Sequence, residues 1–105
     1  MEEKHMVKID TVDANGTQVQ GLLVEQMGGA GHPNLILIQC KKGYLMCGYL
    51  NLPVAEKFGD AAVLVGGADF AAVLSNPIKD ATSAARALGV KDGMTGAEAA
   101  AILNA

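Results

Sequence analysis

Cys47 is the residue whose chemistry has to be weighed first. A thiol becomes a nucleophile when a nearby cation, an imidazole or a helix N-terminus stabilises its thiolate. It stands within Gly43 to Ala62, GYLMCGYLNLPVAEKFGDAA, which reads as an apolar strand, an Asn helix cap, two helical turns and a glycine stop. The helix after Asn51 could present its positive end to the sulfur, and His32 or His5 could approach through the fold. The competing role is packing. A hairpin around Lys41-Lys42-Gly43 places Cys47 opposite Ile38 or Leu37, according to loop length, and a cysteine facing branched aliphatics behaves as a small buried hydrophobe. Packing is the expectation for Cys47, and nucleophilic catalysis or redox chemistry its alternative. Cys40, at the hairpin end, is the weaker thiol.

Three other groupings could carry chemistry. Two Cys and two His (His5, His32, Cys40, Cys47) match zinc-ligand types, but they form no local Cys-x-x-Cys or His-x-x-x-His pair, so no metal site is expected. Gly66-Gly67 lies between a strand and a helix, where backbone amides can meet an anion. No Lys-Ser/Thr follows and no Gly-x-Gly-x-x-Gly is present, so a sharp turn explains the glycines as well. Glu56 and Asp60 flank the end of a short helix, where solvated acids are common. The surface formed by Cys47, Gly48, Asn51 and Asp60, with Gly66 and Gly67, is the candidate ligand site. Asn51 already has a capping role there. No motif calls for a cofactor, and no Gly-x-Ser-x-Gly or triad order occurs.

These residues must be positioned by a chain of 105 residues, of which half are hydrophobic and four aromatic: Tyr44, Tyr49, Phe58 and Phe70. That length predicts one domain over 1–105 with a core of Val, Leu, Ile, Ala and Met. A net charge of −3 without a basic stripe argues against nucleic acid. Two cysteines without a disulfide pattern suit a reducing, cytoplasmic compartment. The charged, alternating start is unlike a signal peptide, and no apolar run approaches the ~20 residues that span a bilayer.

Periodicity and punctuation predict the elements. Lys4 to Asp13 and Thr17 to Met27 form a hairpin about Asn15-Gly16, and Leu35 to Cys40 with Tyr44 to Tyr49 form a second. Asn51 caps a helix with Pro53 in its first turn and Gly59 as its stop. Ala61 to Val65 is apolar without alternation, so it is expected to be buried on both faces. Asp69 caps a helix to about Leu74, Asn76-Pro77 breaks it, and Ile78 to Ala81 adds a short strand. Ser83 to Leu88 reads as helix, and Thr95 with Glu98 makes a capping box for the alanine-rich last helix. Hairpins first and helices afterwards predict an α+β two-layer sandwich with a mostly antiparallel sheet. The alanines of Ala97 to Leu103 would let that helix pack closely at a subunit interface.

Three stretches carry a resemblance: KKGYLMCGYLN (Lys41 to Asn51), AEKFGDAAVLVGG (Ala55 to Gly67) and ALGVKDGMTGAEA (Ala87 to Ala99). From Asn34 through Leu103 the chain resembles the YunC-like family, a small bacterial and archaeal domain of unknown function. The resemblance implies a two-layer α+β fold and assembly into homo-oligomers, and it assigns no reaction. The run Cys47 to Asn51 looks like the family's hallmark, and the glycine-rich loop Gly28 to Pro33 looks longer than the family's. The functional expectation is a non-catalytic module that binds a small molecule or a protein and forms a homo-oligomer.

Overall fold

The computed structural model describes residues 7–105. Six strands form one sheet in the order β1-β2-β3-β4-β5-β6. β1 (Val7–Ala14) and β2 (Thr17–Val24) make the first hairpin. Asn15 and Gly16 take φ of 51° and 88°, the two positive values that a tight turn matched to strand twist requires. Of the first extended segment, Lys4 to Met6 lie outside the described residues. β3 (Leu35–Gln39) and β4 (Gly43–Met46) make the second hairpin, closed where the Cys40 amide donates to the Gly43 carbonyl at 2.8 Å.

α1 (Leu52–Phe58) then carries the chain to β5 (Ala61–Leu64), which lies parallel to β4, while all other neighbours are antiparallel. Asn51 accepts from the Val54 amide, and Gly59 at φ 77° ends the helix with its N–H on the Ala55 and Glu56 carbonyls. α2 (Phe70–Ser75) begins at the Asp69 cap, β6 (Asp80–Ala81) pairs with β5, and α3 (Ser83–Ala87) follows. The expected strand from Ile78 is thus reduced to its last two residues. α4 (Gly96–Leu103) opens on the Thr95–Glu98 capping box. The architecture is the α+β class expected from the sequence.

The main core lies on one face of the sheet. Val19, Leu23, Ile36, Ile38, Leu45, Val63 and Val65 meet Phe70 and Val73 of α2, Ala85 of α3, and Ala99, Ala100 and Leu103 of α4. A smaller cluster on the opposite face packs Ala55 of α1 on Met46 and Ala62. Ala61 to Val65 is therefore covered on both sides, as its unbroken apolar run demands. Of the alanines of α4, Ala99 and Ala100 are wholly buried against the chain's own sheet and helices, while Ala97 and Ala101 are half-buried.

Glycines permit several close approaches. A Cβ on Gly43 would strike the Ala61 carbonyl across the parallel pair, and one on Gly96 would strike the Val73 carbonyl where α4 meets α2. A Cβ on Gly21 would lie 2.6 Å from the Phe70 ring, so β2 is bare where that ring crosses it. Two buried polar side chains tie separate segments. Thr82 Oγ1 donates to the Asp60 carbonyl at 2.6 Å and accepts from the Ala62 amide at 3.0 Å while capping α3. Asn104 accepts from the Lys41 amide at 2.9 Å and donates to Thr17 Oγ1 at 2.7 Å, linking the two hairpin turns to the C-terminus.

Gly43→Ala is expected to lower unfolding free energy by about 1–3 kcal/mol, because a backbone carbonyl cannot yield as a side chain can. Gly48→Ala meets open space and is expected to change stability by less than ~0.5 kcal/mol. Urea unfolding of both variants checks this; equal midpoints would contradict the packing at the parallel pair.

Candidate functional site

β4 and β5 run side by side in the same direction, so their ends release two chains at one place. β4 leaves through Cys47-Gly48-Tyr49 to α1, which lies on one face of the sheet. β5 leaves through Val65-Gly66-Gly67 to α2, which lies on the other. Chains that depart to opposite faces from adjacent parallel strands leave a crevice beyond the strand ends, the usual ligand position in sheets with parallel pairs. A cleft of about 380 Å³ occupies that place, lined by Pro33, Asn34, Cys47, Gly48, Tyr49, Gly66 and Gly67.

Cys47 sits at the end of the β3–β4 ladder. The observed register pairs Leu37 with Met46 and Ile38 with Leu45, which sets Cys47 against Ile36 and corrects the expected partners Ile38 and Leu37. The reason is where the turn closes: Cys40 bonds Gly43, so the two-residue loop is Lys41-Lys42 and Gly43 already belongs to β4. Ladder alternation would make the Cys47 carbonyl the acceptor for the Ile36 amide. That carbonyl turns instead to accept from the Leu50 amide at 3.1 Å, and the Ile36 N–H donates to Cys47 Sγ at 3.3 Å. The sulfur thus ends the ladder in place of a backbone oxygen. Cys47 is 6% exposed, so the thiol is both a packing group and a part of the cleft wall.

The rest of the wall is backbone-rich. Among the described residues, the amides of Gly48, Tyr49, Gly66 and Gly67 donate to no protein acceptor. Asn34 fixes the opposite rim: its Oδ1 accepts from the Gln26 amide at 2.8 Å and its Nδ2 donates to the Ala68 carbonyl at 2.8 Å. The Asn76 side chain donates to the Gly66 carbonyl at 2.8 Å, which orients that glycine. The Lys79 ammonium lies beside Gly66, 3.1 Å from where a Cβ would stand. Tyr49 supplies an exposed ring and Pro33 a second apolar surface.

Four of the six candidate residues, Cys47, Gly48, Gly66 and Gly67, come together in this cleft. Asn51 and Asp60 do not; they line a separate hollow of about 220 Å³ under α1. There Asn51 caps α1, and Asp60 Oδ2 accepts from the Tyr44 hydroxyl at 2.7 Å. Glu56 accepts from the Ser83 amide at 2.8 Å, so it anchors α3 to α1 and stands apart from the cleft. His32 is exposed, its imidazole laid against Gly28, and it is absent from the cleft wall. His5 lies outside the described residues. Among the described residues, no group of three or more His, Cys, Asp or Glu side chains is placed to hold a metal ion, and no helix is long and apolar enough to cross a membrane. Cys40 and Cys47 are free, and burial pushes the Cys40 thiol up to about 11.

Sequence reasoning missed Pro33, Asn34 and Tyr49 as wall residues. The signals for them are ordinary: an Asn before a strand and an exposed aromatic three residues beyond a strand end. Only the fold brings them beside Gly66.

The arrangement is that of an α+β protein with one cleft at the ends of its parallel strand pair. The chain belongs to the family described as "Domain of unknown function (DUF1805)", whose pattern matches residues 46–103. That stretch begins at the last residue of β4 and contains Cys47, Gly48, Tyr49, Gly66 and Gly67. The chain is also similar to a solved structure, the crystal structure of a protein of unknown function, TA1206, from Thermoplasma acidophilum. The two are 31% identical over 93% of each chain, with a TM-score of 0.81. No functionally curated protein matches the chain.

Tyr44 offers a direct check of the hollow under α1. Burial first, then the hydrogen bond and charge of Asp60, push its phenol from 10.0 up to about 12. Because the folded state holds the proton more tightly, this contribution to stability is complete below pH 10 and disappears as pH rises through about 12. In an alkaline absorbance titration Tyr44 is expected to ionise only near the upper end of that window. Tyr44→Phe is expected to flatten the loss of stability across it; an unchanged pH profile would contradict the assignment.

Proposed function

We propose that this chain is a non-catalytic binding module that holds a small molecule in the cleft beyond β4 and β5 and works as a homo-oligomer. Within the DUF1805 family, the three motif stretches support the finer YunC-like assignment, and one domain spans the chain. The observation that carries the reading is the departure of α1 and α2 to opposite faces from the parallel pair, with a cleft at that point. Its volume falls within the range of small-ligand sites.

The wall chemistry defines the ligand class. Tyr49 and Pro33 favour an apolar body. The unengaged amides of Gly48, Tyr49, Gly66 and Gly67, with Lys79 beside Gly66, favour a carboxylate or carbonyl acceptor on the ligand. A small organic acid satisfies both requirements. Absence of side chains at three of these positions lets a ligand approach the backbone directly.

A ligand that binds only the folded state raises the unfolding midpoint. A thermal-shift panel of small aliphatic and aromatic carboxylic acids is expected to contain members that raise it. Gly48→Val, whose Cβ would meet open space at the cleft, is expected to remove that response while the protein stays folded. No shift with any acid at millimolar concentration would sink the assignment.

A thiol-dependent enzyme or redox protein is the second reading, favoured by the place of Cys47 in the cleft wall. Among the described residues no imidazole or carboxylate side chain lines that wall to serve as base, and the Lys79 amine beside Gly66 is not itself one of the lining groups. Iodoacetamide at neutral pH is therefore expected to leave native Cys47 unmodified until the protein unfolds. Rapid stoichiometric labelling of the folded chain would overturn the non-catalytic reading in favour of this one.

A further inference from the structure

The face of the sheet that carries α1 is only half covered. Its register aligns Ile9, Leu22, Leu37, Met46 and Leu64 in one row and Val7, Val24 and Leu35 in the next. α1 covers the Met46 and Leu64 end. Over β1–β3 the row is open: Ile9 is 71% and Val7 55% exposed, with Leu22, Val24, Leu35 and Leu37 half-buried. Toward the β1–β2 turn the same face continues in Thr11, Gln20 and Gln39, so the apolar patch has an uncharged polar rim. Patches of this composition mark interaction surfaces.

α1 is the complementary half. Its inner side packs Leu52 and Ala55 on the sheet. Val54 and Phe58, four residues apart and hence on one side of the helix, are 46% and 74% exposed. Only Glu56 and Lys57 are charged in its seven residues, and Glu56 is held by the Ser83 amide. A helix apolar on two sides has something to bury on each.

We propose that a second copy of this chain docks here, with α1 of each copy seated on the β1–β3 face of the other. A two-fold axis parallel to the strands sets ridge on shelf twice, once in each direction, as a closed isologous contact requires. A two-fold axis in the sheet plane but across the strands would set shelf on shelf and ridge on ridge. A foreign helix could fill the shelf but would leave Phe58 uncovered. The second copy satisfies both patches with the same residues. This rests on the homo-oligomer part of the reading above and is independent of the cleft.

Light scattering of the native chain at micromolar concentration is expected to give twice the mass of one chain. Phe58→Asp and Ile9→Glu, each at an exposed position, are each expected to give folded monomers. The pairing itself is tested by the double variant Ile9→Cys with Val54→Cys under mild oxidation, which is expected to yield a covalent dimer. Within one chain β1 and β4 are three strand spacings apart, about 14 Å, beyond the ~7 Å reach of a disulfide. A monomeric native chain would overturn the oligomer and this interface together. A dimer that survives both charged variants and forms no crosslink would keep the oligomer and overturn this interface. Neither result bears on the acid panel, so a failed cleft reading is separately visible.

Discussion

The structure turns on burying Ala61 to Val65 on both faces. An alternating strand needs one covering layer, but AAVLV offers apolar side chains to each side, and water on either would forfeit that gain. The chain meets the demand with α1 on one face and α2, α3 and α4 on the other. Once α1 connects β4 to β5, the two strands must run parallel, since a crossover helix returns the chain to the same end. Once α2 must lie opposite α1, the exits from β4 and β5 must diverge. The cleft is thus a consequence of how one strand is buried.

The parallel pair also explains where small residues are needed. Gly43 faces Ala61 at the start of the pair, where the backbones approach too closely for a Cβ. Gly67 has the same constraint at the exit, since its Cβ would lie 2.8 Å from the Val73 amide nitrogen of α2. Gly48 has no such neighbour, so its bareness serves the cleft rather than packing. Glycines alike in sequence therefore do different work. Thr82 completes the arrangement by bonding to the backbone at Asp60 and Ala62, fixing the entry to β5 while starting α3.

Local signals were legible wherever one residue type has one physical use. Asn15-Gly16 gave the turn, Asn51, Asp69 and Thr95 the caps, and Gly59 the helix stop, because each satisfies backbone groups within a few residues of itself. The unbroken run at Ala61 likewise announced burial on two faces. The partner of Cys47 was not legible, because register depends on where the turn closes: at Lys41–Tyr44 or Cys40–Tyr44, as the expected partners imply, or at Cys40–Gly43, as it does. The roles of Asn104 and Thr82 were hidden for another reason: their partners lie up to 87 residues away. The grouping of the candidates was half legible. Cys47, Gly48, Gly66 and Gly67 share a cleft because both segments follow strands that pair; Asn51 and Asp60, at the two ends of α1, line the hollow between that helix and β4 instead.

That choice of face bears on Cys47 as well. Had β4 continued straight, its next carbonyl would have completed the ladder to Ile36 and the side chain would have been a plain core residue. The turn toward α1 draws the carbonyl to Leu50 and leaves the Ile36 amide to the sulfur. A thiol is a weaker acceptor than a carbonyl, so the ladder ends on a weaker hydrogen bond, at the wall of the cleft. Serine at this position would offer a stronger acceptor on a shorter bond, and alanine would leave the buried amide without a partner at a cost of about 1–3 kcal/mol. Cysteine fits the gap between them: large enough to reach the amide, apolar enough to face the core. The sulfur is accounted for by the geometry of the turn before any reactivity is asked of it.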